Sequence, residues 1–152
     1  MIAVIQRVSE AGVTIDGALH NKIGKGYLVL LGIRKGDTEA EAEYLAKKII
    51  DLRVFDDGAG KMNLGLRDVD GEVMVISQFT LCTDNNKSGN RPSFTMAEEP
   101  GKAKELYEYM MNVMSGYYEG SKIKSGVFAA EMKIDLVNDG PVTIILEREH
   151  GG

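Results

Sequence analysis

Apolar and polar positions alternate along residues 2–8, with Ile2, Val4, Gln6 and Val8 on one side and Ala3, Ile5 and Arg7 on the other. A period of two predicts a strand, and it sets Arg7 among apolar neighbours, where it either snorkels at a rim or clamps a carbonyl or carboxylate. Val13-Thr14-Ile15 runs into the hairpin dipeptide Asp16-Gly17, and residues 18–23 return. Residues 26–33 form a continuous apolar run, as expected of a strand buried on both faces. After Gly36-Asp37 the period changes: Thr38 and Glu41 make a capping box, and Ala42, Leu45, Ala46 and Ile49 make a one-sided helical stripe. Residues 52–55 read as a short strand and residues 56–60 as a turn. A second helix opens at Pro100, carries Ala103, Leu106, Tyr107, Met110 and Met114 on one face, and closes at Ser115-Gly116. The last third predicts a strand pair: residues 132–137 alternate, Asn138-Asp139-Gly140-Pro141 is turn chemistry, and residues 142–146 return.

The stretch Val73-Met74-Val75-Ile76-Ser77-Gln78-Phe79-Thr80-Leu81-Cys82 departs from this simple patterning. Following Asp70-Gly71, it predicts a buried strand leaving a hairpin. Three polar side chains, Ser77, Gln78 and Thr80, crowd its end, and each buried polar group needs a partner. One account has them bonded to local backbone or facing water; the other has the strand end lining a polar pocket. The segment 83–94 that follows is polar, rich in Gly and Asn, and long enough to suggest a functional loop.

Composition narrows the class. With 152 residues the chain fits one domain, residues 1–152, and its formal net charge of -5 argues against a general nucleic-acid coat protein. Local cation pairs such as Lys87 and Arg91 are compatible with one phosphate contact. No apolar run approaches the ~20 residues that span a bilayer, and the start lacks signal-peptide character. A single cysteine, Cys82, predicts a small buried hydrophobe in a reducing, cytoplasmic compartment. No metal-ligand cluster, phosphate loop, dinucleotide fingerprint or His-centred triad is apparent, and His20 and His150 read as exposed and idle. The bottom-up expectation is a mixed α+β domain built from strands, covered by two main helices, with a polar patch at one strand end.

Ser77-Gln78-Phe79-Thr80-Leu81 and Asn138-Asp139-Gly140-Pro141-Val142-Thr143 resemble the two signature motifs of the D-aminoacyl-tRNA (D-tyrosyl-tRNA) deacylase family. The likeness extends through Ala3-Val4-Ile5-Gln6-Arg7-Val8, Gly60-Lys61-Met62-Asn63, Arg91-Pro92-Ser93-Phe94 and Phe128-Ala129-Ala130-Glu131-Met132, so it covers essentially the whole chain. The sequence departs from the usual pattern in the less basic loop 84–91 and at Glu131, where Asp is commoner.

The resemblance implies a homodimer with a barrel-like sheet core that hydrolyses the ester joining a D-amino acid, or glycine mischarged on tRNA(Ala), to the terminal adenosine. It implies no cofactor or metal. By similarity, Gly140 and Pro141 of one subunit, joined by a cis bond, present carbonyl oxygens in the other subunit's pocket and exclude an L-substituent by collision. Arg7 is expected to hold that segment, and Met132 is expected among the substrate-binding, chirality-selecting residues. Thr80 is the family's candidate nucleophile, yet no His or Lys stands near it in sequence to activate it. The favoured expectation is a water attack in which Ser77, Gln78 and N–H groups near Phe79 and Thr80 orient the ester, with the RNA's own 2′-hydroxyl an available helper. Adenine is expected on Phe79 or Phe94, and tRNA phosphates near Lys87 and Arg91. Two rivals remain at this point: a small-ester hydrolase using Thr80 covalently, and a non-catalytic dimeric RNA-binding module. Deacylation assays on tRNA and on an aminoacyl methyl ester separate the three.

Overall fold

The computed structural model describes residues 1–84 and 88–150. Strand β1 (Ile2–Ile15) is the hub of a six-stranded sheet, longer and less interrupted than its sequence suggests. Along one edge it pairs antiparallel first with β3 (Gly26–Gly32) and then with β2 (Ala18–Ile23). β3 continues in parallel to β6 (Glu72–Ser77), and β6 in parallel to β7 (Ile123–Ser125). β8 (Lys133–Glu147) covers the other edge of β1. The sheet curls until β2 meets β7, where Asn21 Nδ2 donates to the Ser125 carbonyl at 2.6 Å, giving a nearly closed barrel.

The alternation along β3 and β6 sorts side chains into two cores. Tyr27, Val29, Leu31, Val73 and Val75 face outward against the helices α1 (Glu39–Asp51) and α3 (Pro100–Tyr117). Leu28, Met74 and Ile76 face inward with Val8, Val13 and Ile23. Both strands are therefore sealed on both sides, as their continuous apolar runs predict. The capping box of α1 forms as read, with Thr38 N donating to Glu41 Oε1 at 2.8 Å. At α3 the cap is Glu99, whose carboxylate accepts from Gly101 N and Lys102 N just beside Pro100.

Four expectations need correction. Asp70-Gly71 is not a hairpin turn: Asp70, in the left-handed region, ends the short helix α2 (Leu66–Val69), and both pairings of β6 among the described residues are parallel. β6 stops at Ser77, and residues Phe79–Leu81 form one 3-10 turn instead of more strand. The predicted strand over 52–55 shrinks to β4 (Phe55–Asp56), paired with β5 (Met62–Leu64) in a small ribbon. Asn138–Pro141 does not fold a hairpin: both predicted strands of the last third are halves of β8, and both pair with β1. Between Gln6↔Thr143 and Val8↔Asn138, the four residues Asp139 to Val142 stand opposite Arg7 alone. The turn-like tetrapeptide is thus an outward bulge within one strand.

Candidate active site

Ser77 sits at the carboxyl end of β6, beside the carboxyl end of parallel β3, the place where open sheets of parallel strands commonly bind ligands. Gln78 N donates to the Leu31 carbonyl at 2.8 Å, the last ladder bond before the chain turns away. The 3-10 turn is then closed by Leu81 N to the Gln78 carbonyl and Cys82 N to the Phe79 carbonyl. Its geometry leaves the first N–H groups, those of Phe79 and Thr80, pointing out of the turn.

A cavity of about 480 Å³ opens at this strand end. Ser77, Gln78 and Phe79 form one wall, Ala103 and Pro100 of α3 another, and Phe128 to Met132 a third. Its size is that of a small-molecule site. Phe79 is 60% exposed at the mouth and its ring meets Phe94 edge-on, with centroids 5.3 Å apart. Of the residues singled out from the sequence, the cavity therefore gathers Ser77, Gln78, Phe79 and Met132, with Phe94 one contact away. Arg91 is exposed, and Lys87 lies outside the described residues.

Thr80 does not line this cavity. Its hydroxyl accepts a hydrogen bond from Gln78 Nε2, and its carbonyl accepts from Thr83 Oγ1 at 2.7 Å. An amide N–H cannot remove a proton, so this contact orients Thr80 and Gln78 without activating either. Cys82 is no nucleophile: burial pushes its thiol pKa up, and Sγ lies 3.5 Å from the Ile33 carbonyl. Tyr107, behind the cavity wall, is pushed up to about 12 by burial and donates to the Val75 carbonyl at 2.7 Å, so it is neutral scaffolding. Among the described residues no group of three His, Cys, Asp or Glu could hold a metal ion.

Gly140 and Pro141 lie elsewhere on the chain, exposed on the bulge of β8 and joined by a cis peptide bond. Arg7, 7% exposed, sits beneath them. Its Nε donates to the Asp139 carbonyl at 2.9 Å and its Nη1 to the Val54 carbonyl at 2.6 Å, with Asp56 and Asp139 carboxylates 3.6 and 3.7 Å away. Of the two sequence readings of Arg7, the clamp is the one realised. Gly140 has φ +131, and a Cβ there would come within 3.0 Å of Val142 Cγ2 and 3.2 Å of Arg7 Nη2. Glycine is the residue that this conformation and this spacing accept.

Sequence patterning missed the far wall of the cavity. Phe128, Ala129 and Ala130 form no periodic element, and Ala129 has φ +66, which no propensity foretells. Ala103 reads as ordinary helix core, although it also faces the cavity.

The family model described as D-Tyr-tRNA(Tyr) deacylase matches residues 4–147. The chain is 53% identical over 147 residues to the D-aminoacyl-tRNA deacylase of Geotalea uraniireducens (strain Rf4), covering 97% of this chain and 93% of that one. It is 50% identical over 147 residues to the enzyme of the same name from Thermosipho melanesiensis (strain DSM 12029 / CIP 104789 / BI429), covering 97% of each. Among solved structures, the c-Myc DNA Unwinding Element Binding Protein superposes with TM-score 0.92 at 41% identity, over 98% of this chain and 99% of the other. A probable eukaryotic D-amino acid tRNA deacylase superposes with TM-score 0.78 at 13% identity, over 95% and 97%, and so shares the fold. A nearly closed barrel with its polar strand end open to a cavity, matched almost end to end at about half identity, assigns this chain to the D-aminoacyl-tRNA deacylase family of hydrolases.

Proposed function

We propose that the protein hydrolyses the ester between a D-amino acid, or glycine, and the 3′-terminal adenosine of tRNA, including glycine mischarged on tRNA(Ala). The observation that carries this reading is the meeting of Ser77 and Gln78 with exposed Phe79 at the mouth of a cavity sized for an aminoacyl-adenosine. Adenine stacks on Phe79, with Phe94 buttressing that ring. Ser77, Gln78 and the N–H groups of Phe79 and Thr80 hold the ester carbonyl and stabilise the negative charge that grows on its oxygen. Water adds to the carbonyl carbon, the carbon–oxygen bond to the ribose breaks, and the departing 3′-oxygen takes up a proton relayed by the neighbouring 2′-hydroxyl. Thr80 orients Gln78 and forms no covalent intermediate. The hydroxyl's partner, the Gln78 amide, is an N–H donor that takes up no proton, which supports this.

Chirality is read by exclusion: Gly140 and Pro141 of a second protomer form a wall at the substrate α-carbon, which a hydrogen clears and an L-side chain does not. A homodimer follows from this reading. Two surface features support it. β8 pairs with β1 alone among the described strands, leaving a long open edge, and Leu136, Val137 and Ile145 stand exposed along it. The test is deacylation of matched D-aminoacyl-, L-aminoacyl- and glycyl-tRNA by the wild type and by Gly140→Ala. The wild type is expected to hydrolyse the D- and glycyl-forms only, and Gly140→Ala to lose that discrimination or its activity. Equal hydrolysis of L-aminoacyl-tRNA by the wild type would overturn the proposal.

A further inference from the structure

The bulge of β8 has two feet, and Arg7 holds only the first. At the second, where β8 rejoins β1 in register, Thr143 stands directly opposite Gln6, and Thr143 Oγ1 donates to Gln6 Oε1. Immediately inside that foot, Val142 turns its side chain into the outer core, and its Cγ2 lies where a Gly140 Cβ would meet it at 3.0 Å. Four residues opposite one is a large mismatch for a ladder to absorb. Pairing beyond such a mismatch can re-form at more than one register unless something pins it. A one-residue slip would carry Val142 out of the core and move Pro141 by one strand residue. A cross-strand pair of hydrogen-bonding side chains directly opposite each other fixes one register.

We infer that Gln6 and Thr143 are positioning residues for the Gly140–Pro141 wall, setting its height above the sheet from the side that Arg7 does not reach. The inference rests on the reading of that wall as the chiral selector. Neither side chain touches the cavity of its own chain, so their effect falls on discrimination and not on the hydrolytic step.

The experiment compares kcat/KM for D-tyrosyl- and L-tyrosyl-tRNA in the wild type and in Thr143→Val, Thr143→Ser, Gln6→Leu and Gly140→Ala. Losing the hydroxyl in Thr143→Val is expected to lower the D-over-L ratio about five-fold, a change the size of one hydrogen bond. Most of that change should come from faster L-hydrolysis, with kcat on the D-substrate falling less than the ratio. Thr143→Ser, which keeps the hydroxyl, is expected to restore selectivity, a rescue that a packing role would not give. Gln6→Leu should lower the ratio as Thr143→Val does, and the double variant should do no worse than either single one. If Thr143→Val fails to fold, Gln6→Leu answers the same question. Unchanged ratios in Thr143→Val and Gln6→Leu, with Gly140→Ala altering its own, overturn the inference and leave the wall intact. An unchanged ratio in Gly140→Ala defeats the wall itself.

Discussion

Arg7 Nε donates to the Asp139 carbonyl at 2.9 Å, and the same guanidinium reaches Val54 through Nη1 at 2.6 Å. One buried cation thus ties the residue before Gly140 to the chain that leads into the β4–β5 ribbon. Lysine has no planar fork with which to serve two carbonyls on opposite sides. Arg7→Lys is expected to cost about 1.5–3 kcal/mol of unfolding free energy, the range for a lost hydrogen bond to a charged group. Urea denaturation monitored by circular dichroism measures it, and an unchanged midpoint would show that the clamp is ornamental.

Thr80→Ala keeps kcat within about three-fold of wild type if water is the nucleophile, because the variant loses one orienting contact to Gln78 and no bond-forming atom. Rapid quench followed by mass spectrometry is the complementary measurement. An acyl group trapped on Thr80 would reinstate covalent catalysis.

Phe79→Ala removes the exposed ring at the cavity mouth. Stacking of one base on an aromatic is worth about 1–3 kcal/mol, so KM for aminoacyl-tRNA should rise on the order of ten-fold or more, with kcat changing less. Phe94→Ala, which strips only the supporting edge-on contact, is expected to have a smaller effect. The reverse ranking would place adenine on Phe94.

Sequence patterning served best where a side chain's role is set by its immediate neighbours. The alternation of Tyr27, Val29 and Leu31 with Leu28 and Leu30 gives both faces of β3, and Thr38 with Glu41 gives the start of α1. It failed where a distant strand decides. Phe79 and Leu81 carry strand-like side chains, yet the ladder has ended, because β3 offers its last pairing to Ser77 and a final bond to Gln78. Asn138–Pro141 has the composition of a hairpin turn. It lies inside a strand because β1 is long enough to pair with both flanks. The excess of polar groups at Ser77-Gln78 left a pocket wall as one of two readings, whereas the Phe128–Ala130 wall owes its place to the parallel return of β7, only three residues long.

Glu41 links stability to acidity. Burial works to raise its carboxyl, but hydrogen bonds from Thr38 N and Oγ1, together with His150, outweigh it and leave the pKa below the ordinary 4.5. A carboxylate whose folded pKa is depressed adds stability above its unfolded value, and that share is lost as pH falls through the folded one. The wild type should therefore lose thermal stability below about pH 4.5 more steeply than Glu41→Gln, which has no proton to take up there. Parallel melting curves from pH 7 to pH 3 would show the two slopes, and identical slopes would remove Glu41 from the account.

Because Val73 to Ile76 are packed on both faces of β6, the strand end carrying Ser77 is anchored by core on either side. Opposite it, Ala103, Ala129 and Ala130 set the remaining room with the smallest side chains that still carry a Cβ. If the proposed ester site is this cavity, re-engineering it for a narrower or differently shaped ester starts on α3 and the segment ahead of β8, and leaves the serine–glutamine edge as it stands.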